Sequence, residues 1–200
     1  MSTTASAFSF PITVCGIAEL PEHSELGVSH VLSILDPEWA VPDAFGAFGE
    51  HARLELRFHD VIEEVAGMLP PRREHVEQVL AFGRDLMAEP AGRANLLVHC
   101  HAGISRSTAS MILILAQARP DLPAEEVAME VLRIRDKAWP NLRIIEMGDA
   151  LLGRGGEIVA AAKGLYGVQL VRRPELATMM GEGGRGREVQ SARPPGSQPV

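Results

Sequence analysis

The stretch Asn95–Ala118, NLLVHCHAGISRSTASMILILAQA, constrains the fold more than any other part of the chain. NLLVH (95–99) is a short apolar run, as a buried strand requires, and from Ser107 to Arg119 apolar residues fall on most faces, which predicts a buried helix. A buried strand that turns within a few residues into a buried helix is one unit of an α/β layer. The turn, CHAGISR, sets one of the chain's two cysteines between two histidines, with a Gly three residues on and an Arg six residues on.

Other segments fit the same layering. ITVCGIAEL (12–20), HVLSIL (30–35) and ARLELRF (52–58) read as strands, the last alternating as a strand with one dry face does. Segment 71–90 has Pro at its start and apolar residues at helical spacing, and it ends before Pro90. Further helices are predicted over 122–139, from about Asn141 to Leu152, and over 156–170, while 36–50 reads as a loop. With 46% hydrophobic residues in 200, the chain supports one core and one domain, expected over 11–175. Residues 1–10 read as a flexible leader. Residues 181–200, GEGGRGREVQSARPPGSQPV, have almost nothing to bury and read as a disordered tail.

Between Cys100 and Arg106 lie five residues, a length that lets successive backbone N–H groups curl inward as a nest for a tetrahedral anion. The helix starting near Arg106 adds its positive end. Gly103 permits a turn that a side chain would hinder, and the Arg106 fork can hold two phosphoryl oxygens. The same cradle favours a thiolate at Cys100, placed for in-line attack on phosphorus to give a phosphocysteine. Ser105 and Ser107 are both near enough to hydrogen-bond the sulfur; Ser107, beside Arg106, is the expected donor and would help sulfur leave. The bland alternative is a buried Cys acting as a small hydrophobe.

His99-Cys100-His101-Ala102-Gly103-Ile104-Ser105-Arg106-Ser107 resembles the HCxxGxxR[ST] loop of cysteine-dependent protein tyrosine and dual-specificity phosphatases. The resemblance extends over residues 10 to about 170 and is nearest to compact bacterial tyrosine-phosphatase-like proteins. It implies a three-layer α/β fold with a central, mostly parallel sheet of four to five strands flanked by helices. It also implies Cys100 as nucleophile, Arg106 as phosphate ligand and Ser107 as the group assisting thiolate departure. The backbone amides of His101, Ala102, Gly103, Ile104, Ser105 and Arg106 would line the phosphate site, and His99 would tune the thiolate from behind.

A general acid must protonate the leaving oxygen and later activate water. Asp36, Asp43, Asp60, Glu63 and Glu64 are candidates. Asp60 is preferred because it follows a strand, as Cys100 does, and ligands of open α/β sheets gather at that edge. The family's acid lies on the corresponding loop, although its aromatic-proline-Asp form is replaced here by FHD. His59 either orients Asp60 or is a surface residue.

Cys15 reads as an inert strand residue rather than a resolving partner for Cys100, and Trp139 as a core residue rather than a pocket wall. A net charge of -7 gives no general reason to bind nucleic acid, and the small basic spot at Arg172-Arg173 has no groove or interleaved aromatics. No metal-ligand spacing or cofactor motif is present. Two cysteines are too few for a disulfide scaffold, no secretory leader is evident, and MILILAQA is too short to span a bilayer, so a reduced cytoplasmic setting is expected. The expected partner is a phosphorylated protein or a small phosphomonoester, with no nucleic acid or membrane partner. An inactive phosphate-binding module is the alternative, with a sulfurtransferase a weaker third reading.

Overall fold

A computed structural model describes residues 8–193. Four strands, β1 (Ile12–Gly16), β2 (His30–Leu35), β3 (Ala52–Arg57) and β4 (Leu96–Cys100), form one sheet in the order β1-β4-β2-β3. Every pairing is parallel, with Gly16 opposite Cys100 and Ser33 opposite His99. The strands' C-terminal ends therefore share one edge, and Asp36, Asp60 and Cys100 arrive there from three different strands.

The sheet's two faces are covered unequally. Val14, Leu32, Ile34, Leu56, Val98 and Cys100 belong to the large core beneath α1 (Arg73–Met87), α2 (Arg106–Ala118), α3 (Ala124–Ile134), α4 (Leu142–Leu152) and α5 (Glu157–Arg172). The alternate residues Cys15, Val31 and Leu97 pack with Leu20 and Val28, and with Phe45 and Phe48 at their margin. That thin layer comes from two short 3-10 helices, Ile17–His23 and Asp43–Ala47. The architecture is three-layered, as expected, with four strands and no antiparallel member among the described residues. Strand β3 lies at one edge and carries its charges outward, where Arg53 and Arg57 both pair with Glu55.

Several boundaries differ from the sequence reading. The first strand stops at Gly16, because the next residue turns its N–H to the His101 carbonyl (3.0 Å) and Glu19 accepts from the Gly16 N–H (2.5 Å). Helix α3 ends at Ile134 rather than near 139. Arg135 leaves the helix to reach the cysteine loop, and the Trp139 N–H donates to the Ile104 carbonyl (2.9 Å). Helix α4 begins where expected, because the Asn141 side chain accepts from the Ile144 N–H (3.1 Å), and Gly153 closes it in the left-handed region.

The expected loose leader and disordered tail both need correction. Phe8 and Phe10 are buried in the main core; residues 1–7 lie outside the described residues. After α6 (Leu176–Met180) comes one π-type turn over Gly181–Arg185, broken at Gly184 (φ 75°), and then α7 (Gly186–Ser191). The domain thus extends well beyond 175, and only residues 194–200 of the expected tail lie outside the described residues. Apolar content misjudged this segment because polar burial anchors it: Arg185 and Glu188 are both buried, while Val189 and Ala192 pack at the margin of the core.

Candidate active site

Cys100 ends β4, residues 101–105 form the loop, and Arg106 opens α2. The carbonyls of the loop are each held from outside. His101 O accepts from the Ile17 N–H, Ala102 O and Gly103 O from Arg135 Nη2 and Nε (2.8 Å each), Ile104 O from the Trp139 N–H and Ser105 O from the Asn141 N–H (3.3 Å). In a trans peptide the N–H of the next residue points opposite to the carbonyl, and there are no cis bonds among the described residues. Outward carbonyls at 101–105 therefore turn the N–H groups of Ala102, Gly103, Ile104, Ser105 and Arg106 inward. The N–H groups of Ala102 to Ser105 have no acceptor among the described residues. That is the electrostatics of an anion cradle, reinforced by the start of α2.

Gly103 is required here on two counts. Its φ is +67°, and a Cβ would lie 2.4 Å from the Cys15 carbonyl carbon and 2.6 Å from Arg135 Nη2. Arg135 itself is fixed by Glu19, which accepts from Nη1 (3.0 Å) and Nη2 (2.7 Å). Hydrogen bonding to Arg135 is the main cause that lowers the Glu19 pKa to about 2.

Cys100 Sγ lies 3.2 Å from Ser107 Oγ, and both residues are buried. Arg106 is 3% exposed; its Nη1 donates to Asp36 Oδ1 and to the Phe58 carbonyl, both at 2.6 Å. Nη2 makes no hydrogen bond among the described residues, and Nε is buried without a partner there. The two-nitrogen edge that grips paired oxygens is thus unoccupied by protein groups. Asp36, weighed above as a possible acid, is an ion-pair partner of Arg106 instead.

The flanking histidines differ. His99 is fully buried, its ring tilted against that of Phe45 (5.4 Å between ring centroids); burial pushes its pKa down to about 4, so it is neutral near pH 7. His101 sits at the rim, where Nε2 accepts from the Asp36 N–H (3.1 Å) and the ring rests against Trp39 (4.5 Å). Burial, then the Arg106 charge, lowers its pKa as well.

Asp60 stands beside the loop. Its Oδ1 accepts from Ser105 Oγ (2.7 Å), Asn141 Nδ2 (2.9 Å) and Arg185 Nη1 (3.3 Å). Position after β3 thus brings Asp60 beside the loop, against Ser105. His59 does not orient it: His59 Nδ1 accepts from the Leu69 N–H (2.8 Å) and Nε2 faces Glu38 (3.5 Å). Glu63 and Glu64 pair instead with Arg187 and Arg143.

Cys15 is buried on the sheet face opposite Cys100, and burial together with the nearby Glu19 charge pushes its thiol up to about 12. Trp139 is core, stacked on Tyr166 at 4.7 Å with its Nε1–H donating to Glu188 (2.6 Å). Arg135, Asn141 and Arg185 are the site residues that sequence reasoning missed, and Asp36 was weighed only as an acid, not as a partner of Arg106. Asp36 alone left a signal, since it directly follows a predicted strand. No group of three His, Cys, Asp or Glu among the described residues is arranged to hold a metal ion, and no described helix is long and apolar enough to cross a membrane.

No protein-family model matches the sequence, and no curated protein matches it. Solved structures do match. Human DUSP28 superposes with a TM-score of 0.53 at 18% identity, over 72% of this chain and 94% of that one. Tk-PTP in its active form gives 0.53 at 19% identity, over 76% of this chain and 99% of that one. The PTP-2 phosphatase of Cydia pomonella gives 0.53 at 20% identity, over 70% and 84%. The chain has the three-layer α/β fold of the protein tyrosine and dual-specificity phosphatase structures, with a parallel sheet between helical layers.

Proposed function

We propose that the protein is a cysteine-dependent phosphomonoester hydrolase acting through a phosphocysteine at Cys100, with a phosphotyrosyl protein or a dual-specificity substrate the favoured class. The observation that carries this reading is the loop itself: between Cys100 and Arg106 the carbonyls are held outward, the N–H groups of Ala102 to Arg106 turn inward, and the Nε–Nη2 edge of Arg106 has no protein partner among the described residues. The phosphoryl oxygens would rest on the amides of Ala102 to Arg106 and on Arg106 Nε and Nη2. Cys100 thiolate attacks phosphorus, the bond to the leaving oxygen breaks, and that oxygen takes the proton of Asp60. Water then attacks phosphorus and yields a proton to the Asp60 carboxylate. The phosphorus–sulfur bond breaks, and Ser107 Oγ–H donates to the returning thiolate. His99, neutral and packed behind the strand end, supports the sulfur's position rather than supplying charge.

One observation favours the second reading. Asp60 Oδ1 is already held by three donors, Ser105, Asn141 and Arg185, and a carboxyl tied down in this way suits a module that binds phosphate without turnover. The two readings part on one assay. Purified protein in EDTA is expected to release phosphate from phenyl phosphate and from a phosphotyrosyl peptide. Tight binding of the peptide with no phosphate release over hours would support the module and defeat the enzyme.

A further inference from the structure

The C-terminal segment, which has almost no apolar content, reaches the site through charge. Arg185 is 7% exposed and Glu188 is fully buried. Arg185 Nη1 donates to Asp60 Oδ1 (3.3 Å), and Nη2 donates to both Ser105 Oγ (3.0 Å) and Glu188 Oε1 (2.7 Å). Glu188 is fixed in turn by the Trp139 Nε1–H (2.6 Å) and the Leu142 N–H (2.9 Å). Two residues after Arg185, Arg187 holds Glu63 (2.6 Å) and Glu146 (2.5 Å) and reaches the Ile62 carbonyl (3.5 Å). One short helix therefore grips Asp60 and the residues that follow it.

We propose that Arg185 is a positioning residue for the Asp60 carboxyl, so that the segment Gly181–Ser191 completes the site rather than trailing from it. The proposal rests on the phosphatase reading above. Docking a chain end does not by itself call for buried charge, since a buried ion pair costs desolvation that apolar packing avoids. Here the buried guanidinium spans the two groups that flank the cradle, Asp60 and Ser105.

The hydrogen bonds explain what the clamp does. All three donors meet on Oδ1, and Oδ2 has no partner among the described residues. A neutral carboxyl with its proton on Oδ2 keeps Oδ1 as acceptor for all three, and so does the ionised form. The group can therefore give a proton in the first step and take one in the second without changing its anchors. The charged and titratable groups facing Asp60 are His101 from the loop and Arg185, backed by Glu188, from the C-terminal segment; His59 and Glu63 are on its own loop. Glu188 pairs with Arg185 and offsets part of its charge.

The experiment compares the full-length wild type, Arg185→Met, Arg185→Lys, Asp60→Asn and the Arg185→Met/Asp60→Asn double variant. It measures kcat against pH on phenyl phosphate, a poor leaving group, and on p-nitrophenyl phosphate, a good one. Arg185→Met is expected to lower kcat on phenyl phosphate by about 10²-fold, the scale of a misplaced catalytic group, and much less on p-nitrophenyl phosphate. It adds little to Asp60→Asn and is partly rescued by Arg185→Lys. Equal losses on both substrates, or an undiminished further loss in the Asp60→Asn background, would make Arg185 a fold anchor only and overturn the proposal. If Arg185→Met does not fold, the Arg185→Lys variant carries the same substrate comparison, and equal losses there overturn it too. An active wild type with an indifferent Arg185 sinks this inference alone. A wild type inactive on both substrates sinks the phosphatase reading and this inference with it.

Discussion

The two halves of the site are built in opposite ways. The cradle lies within the seven residues from Cys100 to Arg106, and its binding groups are backbone amides. The surroundings of the Asp60 carboxyl come from four separate places: Asp60 itself after β3, Ser105 in the loop, Asn141 before α4 and Arg185 at the start of α7. A site made of backbone is specified by local residue types, chiefly Gly103. A site made of converging side chains is specified by the whole fold. The first is sensitive to change chiefly at its glycine and its outer props; the second is adjustable at a distance.

The largest effects should break the cradle's chemistry. Cys100→Ser is expected to lower turnover by at least about 10⁴-fold, as removal of a nucleophile does, while circular dichroism and melting stay close to wild type. Ordinary activity in that variant would end the covalent account.

On the other side of the comparison, Asp60→Asn should lower kcat on phenyl phosphate by roughly 10²–10⁴-fold, with a smaller loss on p-nitrophenyl phosphate and a flattened basic limb in the pH profile. Glu63→Gln and Asp43→Asn serve as controls. A collapse in either, with Asp60→Asn unaffected, would relocate the acid.

A smaller effect sharpens how the cradle is held. Arg135→Met removes the donors to the Ala102 and Gly103 carbonyls and should cost about 2 kcal/mol of stability, with KM for phosphate esters rising as the amides lose their alignment. Unchanged stability and KM would mean that the loop keeps its shape without outside help.

The smallest concerns His99. Its folded pKa of about 4 lies below the ordinary 6.5, so the unfolded state binds the proton more readily. Its contribution is complete above pH 6.5 and is lost as pH falls from 6.5 toward 4, amounting to about 2 kcal/mol at pH 5. Urea unfolding at pH 7 and pH 5 measures the loss, and His99→Gln should reduce it. An equal loss in that variant would assign the acid sensitivity to other groups.

Much of the cradle was legible because every part of it is local. A buried strand, a Gly at the turn, an Arg six residues after the Cys and a buried helix sit in one stretch, and a mostly parallel sheet was expected from short strands among helices, whereas the strand order was not. Asp60 was legible as a position, since strand ends collect at one edge, but its partners were not. Nothing near Arg185 in sequence marks it as a buried ion-pair member, and the glycines around it suggested a free tail. Arg135 looked like an ordinary end-of-helix cation. Asp36 was within reach, but its choice of Arg106 over the leaving group depends on how two strand ends face each other.

The central claim is that Cys100 becomes phosphorylated in the cradle. Asp60→Asn, which should slow the water step as well as the first, is mixed with p-nitrophenyl phosphate, quenched rapidly in acid and digested with a protease. The peptide carrying Cys100 is expected to gain one phosphoryl group, and the label should be absent from the Asp60→Asn/Cys100→Ser double variant. Phosphate release with no label on Cys100, or a label on His99 or His101 that persists without the cysteine, would contradict the account.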